Sequence, residues 1–280
     1  MDNIRPNEVV KMMVETGAGK AALGAKDILI RGSLSGALLA CATSLAFTAS
    51  AQTNLPLVGA IIFPVGFVMI ILLGLELVTG SFAIVPLGAL EGHSRWGRVA
   101  GNLSMVFIAN LLGSVAYGVL LYLALTQCGA DAPAGIATKI AAAAEAKTLA
   151  YAAHGPAGFA TAFVKGVLCN WLVCLGVVLP MTTSSMLGKV VGAWIPIMTF
   201  FAQGFEHSVV NMFIIPTGIL FGAKVTVGSW WLWNQIPITL GNLVGGLLFT
   251  GLFLYWTHSS PRTQPVGATA EDPSCEGAKA

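Results

Sequence analysis

The stretch AQGFEHSVVNMFIIPTG, residues 202–218, places an acid, an imidazole and an amide inside an otherwise apolar segment. Glu206 and His207 are adjacent, and Asn211 follows about one helical turn later. Ionisable groups are costly in lipid, and those inside a span usually serve transport or proton transfer. An imidazole also changes charge near neutral pH. His207 is therefore the main functional candidate, whereas Glu206 is expected to brace an irregular backbone by accepting its free N–H groups.

The composition of the chain indicates a membrane protein. Of its 280 residues, 56% are hydrophobic and 9% are charged, far below the roughly 25% charge of an average soluble domain. The net charge of +2 comes without a basic run, so no nucleic-acid partner is indicated. The five cysteines show no C-x-x-C pair and no Cys/His metal spacing. We therefore expect no metal site, no disulfide framework and no cofactor.

Six apolar stretches are long enough to cross the roughly 30 Å of hydrocarbon in a bilayer. They lie at roughly 28–52, 56–90, 100–127, 158–181, 191–222 and 235–257. The second and fifth are too long for one span and carry polar residues and glycine in their middles, which predicts two half-helices in each. The expected class is an all-α membrane protein of six transmembrane helices, the second and fifth interrupted.

The sequence repeats itself after about 130 residues. RGSLSG at residue 31 resembles KGVLCN at 165, GLELVTGSF at 74 resembles GFEHSVVNMF at 204, and NLLGSV at 110 resembles NLVGGL at 242. Each half, about 28–127 and 158–257, holds three spans, and an odd number inverts the second half relative to the first. The break around Glu76 and Thr79 should then face the break at His207. Half-helix N-termini meeting there would favour an anion.

The flanking segments set the orientation. Residues 1–27 predict an N-terminal amphipathic cytoplasmic helix, which starts near Pro6 and lies along the membrane. Residues 258–280 have no apolar period and predict a disordered cytoplasmic tail. With both termini inside, the outer segments keep only Lys139, Lys147, Lys165 and Lys224 of the 14 Lys and Arg residues. The positive-inside rule therefore places both termini in the cytoplasm. We expect the protein in the cell inner (plasma) membrane.

The stretches GFEHSVVNMFIIPTG, KGVLCNWLVCLGV and ELVTGS resemble signature stretches of the formate/nitrite transporter family. The resemblance runs from about residue 8 to residue 257. It implies an aquaporin-like protomer in the lipid bilayer, a homopentamer with one pore per protomer, and passage of small monovalent anions or their acids.

The resemblance also implies the residues of the pore. His207 matches the central pore histidine, Thr79 matches the loop that interrupts the second span, and Asn170 matches the fourth span. The remaining matches concern constrictions: Phe63 and Phe67 on one side of the centre, Leu77 and Val78 in the loop, and Phe200 on the other side.

Two positions depart from the family pattern. Val78 stands where the family often has an aromatic residue, which predicts a wider or softer constriction. The family's vestibule lysine usually lies closer to the Asn170 position than Lys147, which is about 23 residues upstream. Either Lys147 reaches the vestibule through a longer loop, or Lys165 replaces it.

Other functions fit the sequence less well. A haem-binding subunit needs paired histidines within its spans, and only His207 lies in one. An aquaporin-like pore for neutral solutes would carry twin Asn-Pro-Ala motifs, which are absent from the sequence. No motif of a soluble enzyme appears either, so no enzyme activity is expected. The stretches ELVTGS and KGVLCNWLVC look more like those of nitrite-type members, with formate second and hydrosulfide, lactate, acetate and bicarbonate as further alternatives.

We predict that the loop around residues 91–99 faces the cytoplasm and the loop 128–157 faces outward. In a cysteine-free background, Ser94→Cys should resist an impermeant thiol reagent in intact cells, because the Lys/Arg bias keeps this loop inside. A cysteine introduced in the outer loop is the control and should react. Rapid labelling at position 94 from outside would contradict the orientation.

Overall fold

The computed structural model describes residues 3–259, and this part of the chain is helical apart from loops and one isolated bridge, Asn3 to Thr183. The helices of the first half are α1 Pro6–Ala21, α2 Ala25–Thr53, α3 Pro56–Ile62, α4 Pro64–Leu72, α5 Val78–Leu90 and α6 Trp96–Leu125. Those that follow are α7 Ile136–Ala146, α8 Leu149–Ala153, α9 Gly155–Val178, α10 Met186–Ala202, α11 Ser208–Leu220, α12 Val227–Trp230, α13 Ile236–Gly246 and α14 Phe253–His258.

Within residues 3–259, four continuous helical segments are long and apolar enough to cross a membrane: α2, α6, Gly155–Thr182 and Val227–His258. The last of these joins α12, α13 and α14 through two π-helical segments. The other two spans are interrupted: α3 and α4 are separated from α5, and α10 is separated from α11, by five residues each. The six-span plan with broken second and fifth helices is therefore confirmed for this multi-pass membrane protein.

Within each repeat, two long helices cross at glycine with their backbones in contact. A Cβ added to Gly113 of α6 would lie 1.8 Å from the carbonyl oxygen of Ser33 in α2. At the equivalent place in the second repeat, a Cβ on Gly245 would lie 2.2 Å from the carbonyl oxygen of Val167. The two repeats are also in contact with each other, because a Cβ on Gly251 would lie 2.4 Å from the carbonyl oxygen of Ala83. Helices approach this closely in membranes through small residues.

Helix α1 packs on the rest of the protein through its apolar face. Its apolar residues Val9, Val10, Met13 and Val14 are buried, as one face of an amphipathic helix. Gly17 permits this, since a Cβ there would lie 1.9 Å from the carbonyl oxygen of Ile84 in α5. The apolar face of α1 is therefore buried against α5. That the helix also lies along the membrane surface stays a prediction.

Helices α1 and α7 mark opposite ends of the molecule. Helix α1 directly precedes the N-terminal end of α2, whereas Lys139 of α7 lines a cavity with Ala46 and Ser50 near the C-terminal end of α2. Helix α2 has 29 residues and therefore measures about 43 Å, so its two ends lie at opposite sides of the molecule. The connection between residues 128 and 157 contains the short helices α7 and α8. The predicted tail lies outside the described residues from position 260 onward, and α14 extends to His258.

We predict that Gly113→Ala lowers the stability of the folded protein by about 1–3 kcal/mol, the usual cost of overpacking. The new methyl group meets backbone of α2, which cannot rotate away as a side chain would. Gly101→Ala is the matched control, because it lies in the same helix with no atom near its Cβ. Thermal melting in detergent should show a lower midpoint for Gly113→Ala only. Equal midpoints for the two variants would contradict the packing argument.

Candidate functional site

The two helix breaks have the same construction. Residues 73–77 separate α4 from α5, and residues 203–207 separate α10 from α11. In each break the chain turns at a glycine with positive φ, +62° at Gly74 and +67° at Gly204. A residue with a Cβ adopts this conformation only at a steric cost. After the turn, α5 begins at Val78 and α11 begins at Ser208.

Two asparagines supply the hydrogen bonds that the broken spans lack. Asn110 Oδ1 accepts from the Val78 N–H at 2.9 Å, while its Nδ2 donates to the carbonyls of Glu76 and Gly32 at 2.8 and 2.9 Å. In lipid, such backbone groups must find partners inside the protein.

Asn242 repeats this pattern in the second half. Its Oδ1 accepts from the Ser208 N–H at 2.8 Å, and its Nδ2 donates to the carbonyls of Glu206 and Gly166 at 3.0 and 2.8 Å. No functional role was predicted for Asn110 or Asn242 from the sequence. The two asparagines occupy equivalent positions in the two repeats, and this equivalence could have identified them from the sequence.

The starts of α5 and α11 meet at one polar contact. Thr79 Oγ1 lies 3.0 Å from His207 Nε2, and both side chains are buried. His207 Nδ1 accepts from the Val210 N–H at 3.2 Å and so caps α11. An accepting Nδ1 carries a lone pair, so the neutral ring holds its proton on Nε2. Nε2–H then donates to Thr79 Oγ1, which leaves the Thr79 hydroxyl hydrogen available to another acceptor.

Asn170 and Cys174 of α9 both donate hydrogen bonds to the backbone carbonyl of Thr79. Asn170 Nδ2 donates to the Thr79 carbonyl at 3.0 Å and to the Asn242 carbonyl at 2.6 Å. Cys174 Sγ donates to the same Thr79 carbonyl at 3.3 Å. Asn170 Oδ1 is buried and has no partner in the described part of the chain. The Asn170 side chain therefore joins the two repeats through its NH₂ group, with a free acceptor beside it.

Aromatic rings surround the histidine on one side. The Phe200 ring stacks at 5.7 Å from the His207 ring, the Phe63 ring lies 5.9 Å from that of Phe200, and Phe201 stacks on Phe63 at 4.1 Å. Phe63 and Phe200 were expected on opposite sides of the centre. They belong to one cluster instead, because α3 and α4 pack against α10 and bring the two residues together.

The other expected constriction residues lie nearby. Phe67 is buried one turn along α4 from Phe63, and a Cβ at Gly176 of α9 would lie 3.1 Å from its ring. Leu77 and Val78 are buried at the start of α5, next to Thr79. Every one of these positions is apolar, so the polar pair at the centre lies within an apolar enclosure.

An ion pair lies next to the second break. Lys147 Nζ contacts Glu206 Oε2 at 2.7 Å, and Asn211 Nδ2 donates to the same oxygen at 2.9 Å. Tyr151 donates its hydroxyl to Glu206 Oε1 at 2.9 Å. Lys165 contacts the same break through its backbone, since its carbonyl accepts from the Glu206 N–H at 3.4 Å, while its Nζ lies 5.8 Å from the centre of the Tyr151 ring. Of the two lysines considered from sequence, Lys147 is the one whose ammonium group contacts Glu206.

A matching ion pair, which the sequence analysis missed, lies next to the first break. Lys20 Nζ of α1 contacts Glu76 Oε1 at 2.7 Å. Asn102 donates to the Lys20 carbonyl and Asn234 donates to the Lys147 carbonyl, each at 2.8 Å. In both repeats, an asparagine therefore holds the backbone of the lysine that pairs with the glutamate. The equivalence of Glu76 and Glu206 in the repeat could have predicted this second ion pair from the sequence. We call the region around Lys20 and Glu76 the Glu76 mouth, and the region around Lys147 and Glu206 the Glu206 mouth.

Comparison with known proteins gives consistent matches. The sequence model described as "Formate/nitrite transporter" matches residues 7–256. A "Probable formate transporter" of Methanothermobacter thermautotrophicus is 40% identical over 208 residues, which cover 71% of this chain and 74% of the relative. The "Nitrite transporter NirC" of Salmonella typhimurium is 32% identical, over 78% of this chain and 77% of the relative. A solved structure titled "FNT family ion channel" superposes with a TM-score of 0.76 at 28% identity, covering 90% of this chain and 99% of that one.

We predict that Thr79→Val lowers nitrite and formate uptake roughly tenfold to a hundredfold, the effect of losing one hydrogen bond to a charged group. The substitution keeps the side-chain volume and removes only the hydroxyl. Thr43→Val is the matched control, because the Thr43 hydroxyl is buried but donates to the Leu39 carbonyl of its own helix. Uptake into proteoliposomes at equal protein density gives the comparison. Normal uptake by Thr79→Val would make the hydroxyl a structural group only.

Proposed function

We propose an anion-transport function for this chain from one premise: the chain belongs to the formate/nitrite transporter family. Each protomer conducts small monovalent anions such as formate and nitrite through a pore that passes the Thr79–His207 pair. The relatives reported above are named as transporters, and the expectation that the chain is not an enzyme is confirmed.

The observation that carries the proposal is the contact between Thr79 Oγ1 and His207 Nε2 at the meeting helix starts. Helix N-termini present partial positive charge, so α5 and α11 favour an anion at the point where they meet. The Thr79 hydroxyl hydrogen supplies one directed donor there. A small planar anion with one charge and a few acceptor atoms suits a site that offers a single donor in an apolar enclosure.

The aromatic enclosure makes the charge of the substrate the main obstacle. A bare ion that leaves water for a low-dielectric site loses several kcal/mol of solvation even after the protein relaxes. Phe63 and Phe200 offer no compensating hydrogen bonds, so the cost is greatest beside them. Lys20 and Lys147 concentrate anions at the two mouths, and the cost of passage falls when the anion crosses as its neutral acid.

His207 connects this passage to pH. In the neutral ring, Nε2–H supports the Thr79 hydroxyl as a hydrogen-bond donor. A proton gained at Nδ1 makes the ring an imidazolium and removes the acceptor that caps α11. The imidazolium can pass its Nε2 proton to Thr79 Oγ1 while the Thr79 hydroxyl proton passes to the anion, which yields a neutral acid and a neutral imidazole. The pair thus combines anion binding with proton-coupled passage.

Formate and nitrite are both proposed as substrates. The sequence motifs favoured nitrite, whereas the relative named as a formate transporter is 40% identical and the nitrite transporter is 32% identical. A site with one hydroxyl donor in an apolar enclosure does not distinguish two anions of similar size and charge. Parallel uptake of both anions, with glycerol as a neutral solute, separates this function from an aquaporin-like one.

The proposal includes the assembly and the orientation that the family resemblance and the charge bias imply. The protomers form a homopentamer in the cell inner membrane, with both termini in the cytoplasm. The Glu76 mouth, next to α1, is then the cytoplasmic one, and the Glu206 mouth faces outward. This orientation keeps Lys147 and Lys165 on the outer side.

We predict that His207→Asn removes the pH response of transport between about pH 5 and pH 8, the range in which histidine titrates. Asparagine is a good helix N-cap, so it can replace the Nδ1 acceptor for α11. It cannot gain a proton in this range. Wild-type protein in liposomes should show a marked change of formate or nitrite flux, or of coupled proton movement, across this window.

The alternative has a distinct signature. A purely structural histidine predicts poor assembly of His207→Asn, or normal flux with the wild-type pH profile. A well-assembled variant that reproduces the wild-type profile and proton stoichiometry would show that the central-histidine mechanism is wrong. Thr79→Val in the same assay separates the hydroxyl from the ring, because it keeps the titratable group.

A further inference from the structure

The two carboxylates at the mouths have different surroundings, although the repeat makes them equivalent. Glu206 has a donor on both oxygens: Tyr151 on Oε1, and Lys147 with Asn211 on Oε2. Glu76 has Lys20 on Oε1, and its buried Oε2 has no partner in the described part of the chain. The Glu206 carboxylate is therefore held from several directions, and the Glu76 carboxylate is held from one.

The source of the difference can be read in the sequence. Tyr151 lies four residues after Lys147, and Gly24 lies four residues after Lys20. Gly24 has no side chain, and no atom lies within 4 Å of its ideal Cβ position. Asn211 also has a smaller equivalent, Ser81, whose buried hydroxyl has no partner among the described residues. The inverted repeat thus supplies a tyrosine at one mouth and nothing in its place at the other.

The Tyr151 side chain is held firmly in position. It is 8% exposed and lies in the short helix α8. Its backbone contacts α9, because a Cβ on Gly158 would lie 1.9 Å from the Tyr151 carbonyl oxygen. The Lys165 ammonium lies 5.8 Å from its ring centre, a distance typical of cation–π contact. Burial, together with the nearby Glu206 carboxylate, raises the pKa of the Tyr151 phenol, so the hydroxyl remains a donor.

We propose that Tyr151 is a positioning residue that keeps Lys147 available to anions at the Glu206 mouth. By occupying Glu206 Oε1, the phenol confines the Lys147 ammonium to Oε2, and the ammonium keeps its other N–H donors for an incoming anion. The side chain of Lys147 is 23% exposed, so it can be reached from the mouth. The class of ligand is a small monovalent anion held by the ammonium group.

Loss of the phenol hydroxyl changes this arrangement in a defined direction. Glu206 Oε1 would remain buried without a donor, and a buried charged acceptor without a partner is costly. The Lys147 ammonium is the nearest group that can donate to both oxygens at once. It would turn toward the carboxylate and away from the anion. At the Glu76 mouth, no donor among the described residues occupies Glu76 Oε2, so Lys20 is not confined in the same way. Loss of the Tyr151 hydroxyl should therefore affect anion binding at the Glu206 mouth only.

This inference rests on the proposed anion transport, and the test is Tyr151→Phe, which keeps the ring and its contact with Lys165. Uptake of formate is measured as a function of concentration in oriented vesicles, with the anion added at the Glu206 mouth or at the Glu76 mouth. We expect KM to rise roughly threefold to tenfold for entry at the Glu206 mouth, a fraction of what a complete hydrogen bond to a charged group provides. KM for entry at the Glu76 mouth, and the maximal flux, should not change.

Tyr117→Phe is the matched control. Its hydroxyl lies 2.9 Å from Ser44 Oγ, in a partly buried contact between α2 and α6 outside both mouths. This variant also loses a tyrosine hydroxyl, and we expect unchanged KM at both mouths. A double variant gives a second test: in a Lys147→Met background, Tyr151→Phe should have no further effect on KM, because the group that it positions is absent.

The outcomes separate this inference from the function on which it rests. Unchanged KM at both mouths, equal changes at both, or an undiminished effect in the Lys147→Met background would each overturn the role of Tyr151 while transport itself stands. Failure of the wild-type protein to carry formate or nitrite would overturn the proposed function instead. The reactivity of Lys147 with an impermeant amine reagent is a readout independent of transport, and it should fall in Tyr151→Phe if the ammonium turns toward Glu206.

Discussion

The hydrogen bonds of Asn110 and Asn242 are the constraint on which the rest of the structure depends. Lipid offers no partners for backbone N–H and C=O groups, so a break inside a span is stable only if protein groups replace the missing bonds. Each asparagine does this for one break by joining it to two neighbouring helices. This support allows two helix N-termini to meet at Thr79 and His207 inside an otherwise apolar bundle.

His207 has a structural and a chemical role through its two nitrogen atoms. Nδ1 ends the break by capping α11, and Nε2 contacts the hydroxyl of the opposite break. The cap selects the tautomer, and the tautomer leaves the Thr79 hydroxyl hydrogen free to donate. Helix capping, usually a matter of local stability, therefore determines the donor at the centre of the proposed pore. The apolar rings around it increase the importance of that single donor, because Phe63 and Phe200 offer no hydrogen bond to a charge.

The sequence predicted the architecture well because hydropathy, span length and the repeat all report on the same physical quantity, burial in lipid. The six spans, both breaks and the facing of Thr79 and His207 follow from these patterns together. Neither Phe63 nor Phe200 has a phenylalanine at the equivalent position of the other repeat. Comparison of the repeats therefore could not show on which side of the centre each ring lies. Packing of α1 on α5 depends on close backbone contact at Gly17, and an amphipathic face alone fits lipid or protein equally. Side-chain partners such as Tyr151 and Lys20 depend on three-dimensional proximity across 55 and 56 residues, which no local pattern encodes.

The contact of Asn170 with Thr79 and with Asn242 links the two repeats at the centre of the molecule, and the glycine contact between Gly251 and Ala83 links them again. Carriers of the rocking type need two halves that slide past one another with every cycle. Here the halves share hydrogen bonds to the same break and touch backbone to backbone. A cycle that separated them would dismantle the site that it is meant to expose. Under the proposed transport function, flux through this arrangement is governed by the height of a stationary barrier, so its temperature dependence reports on dehydration of the permeating anion or acid and little on domain motion.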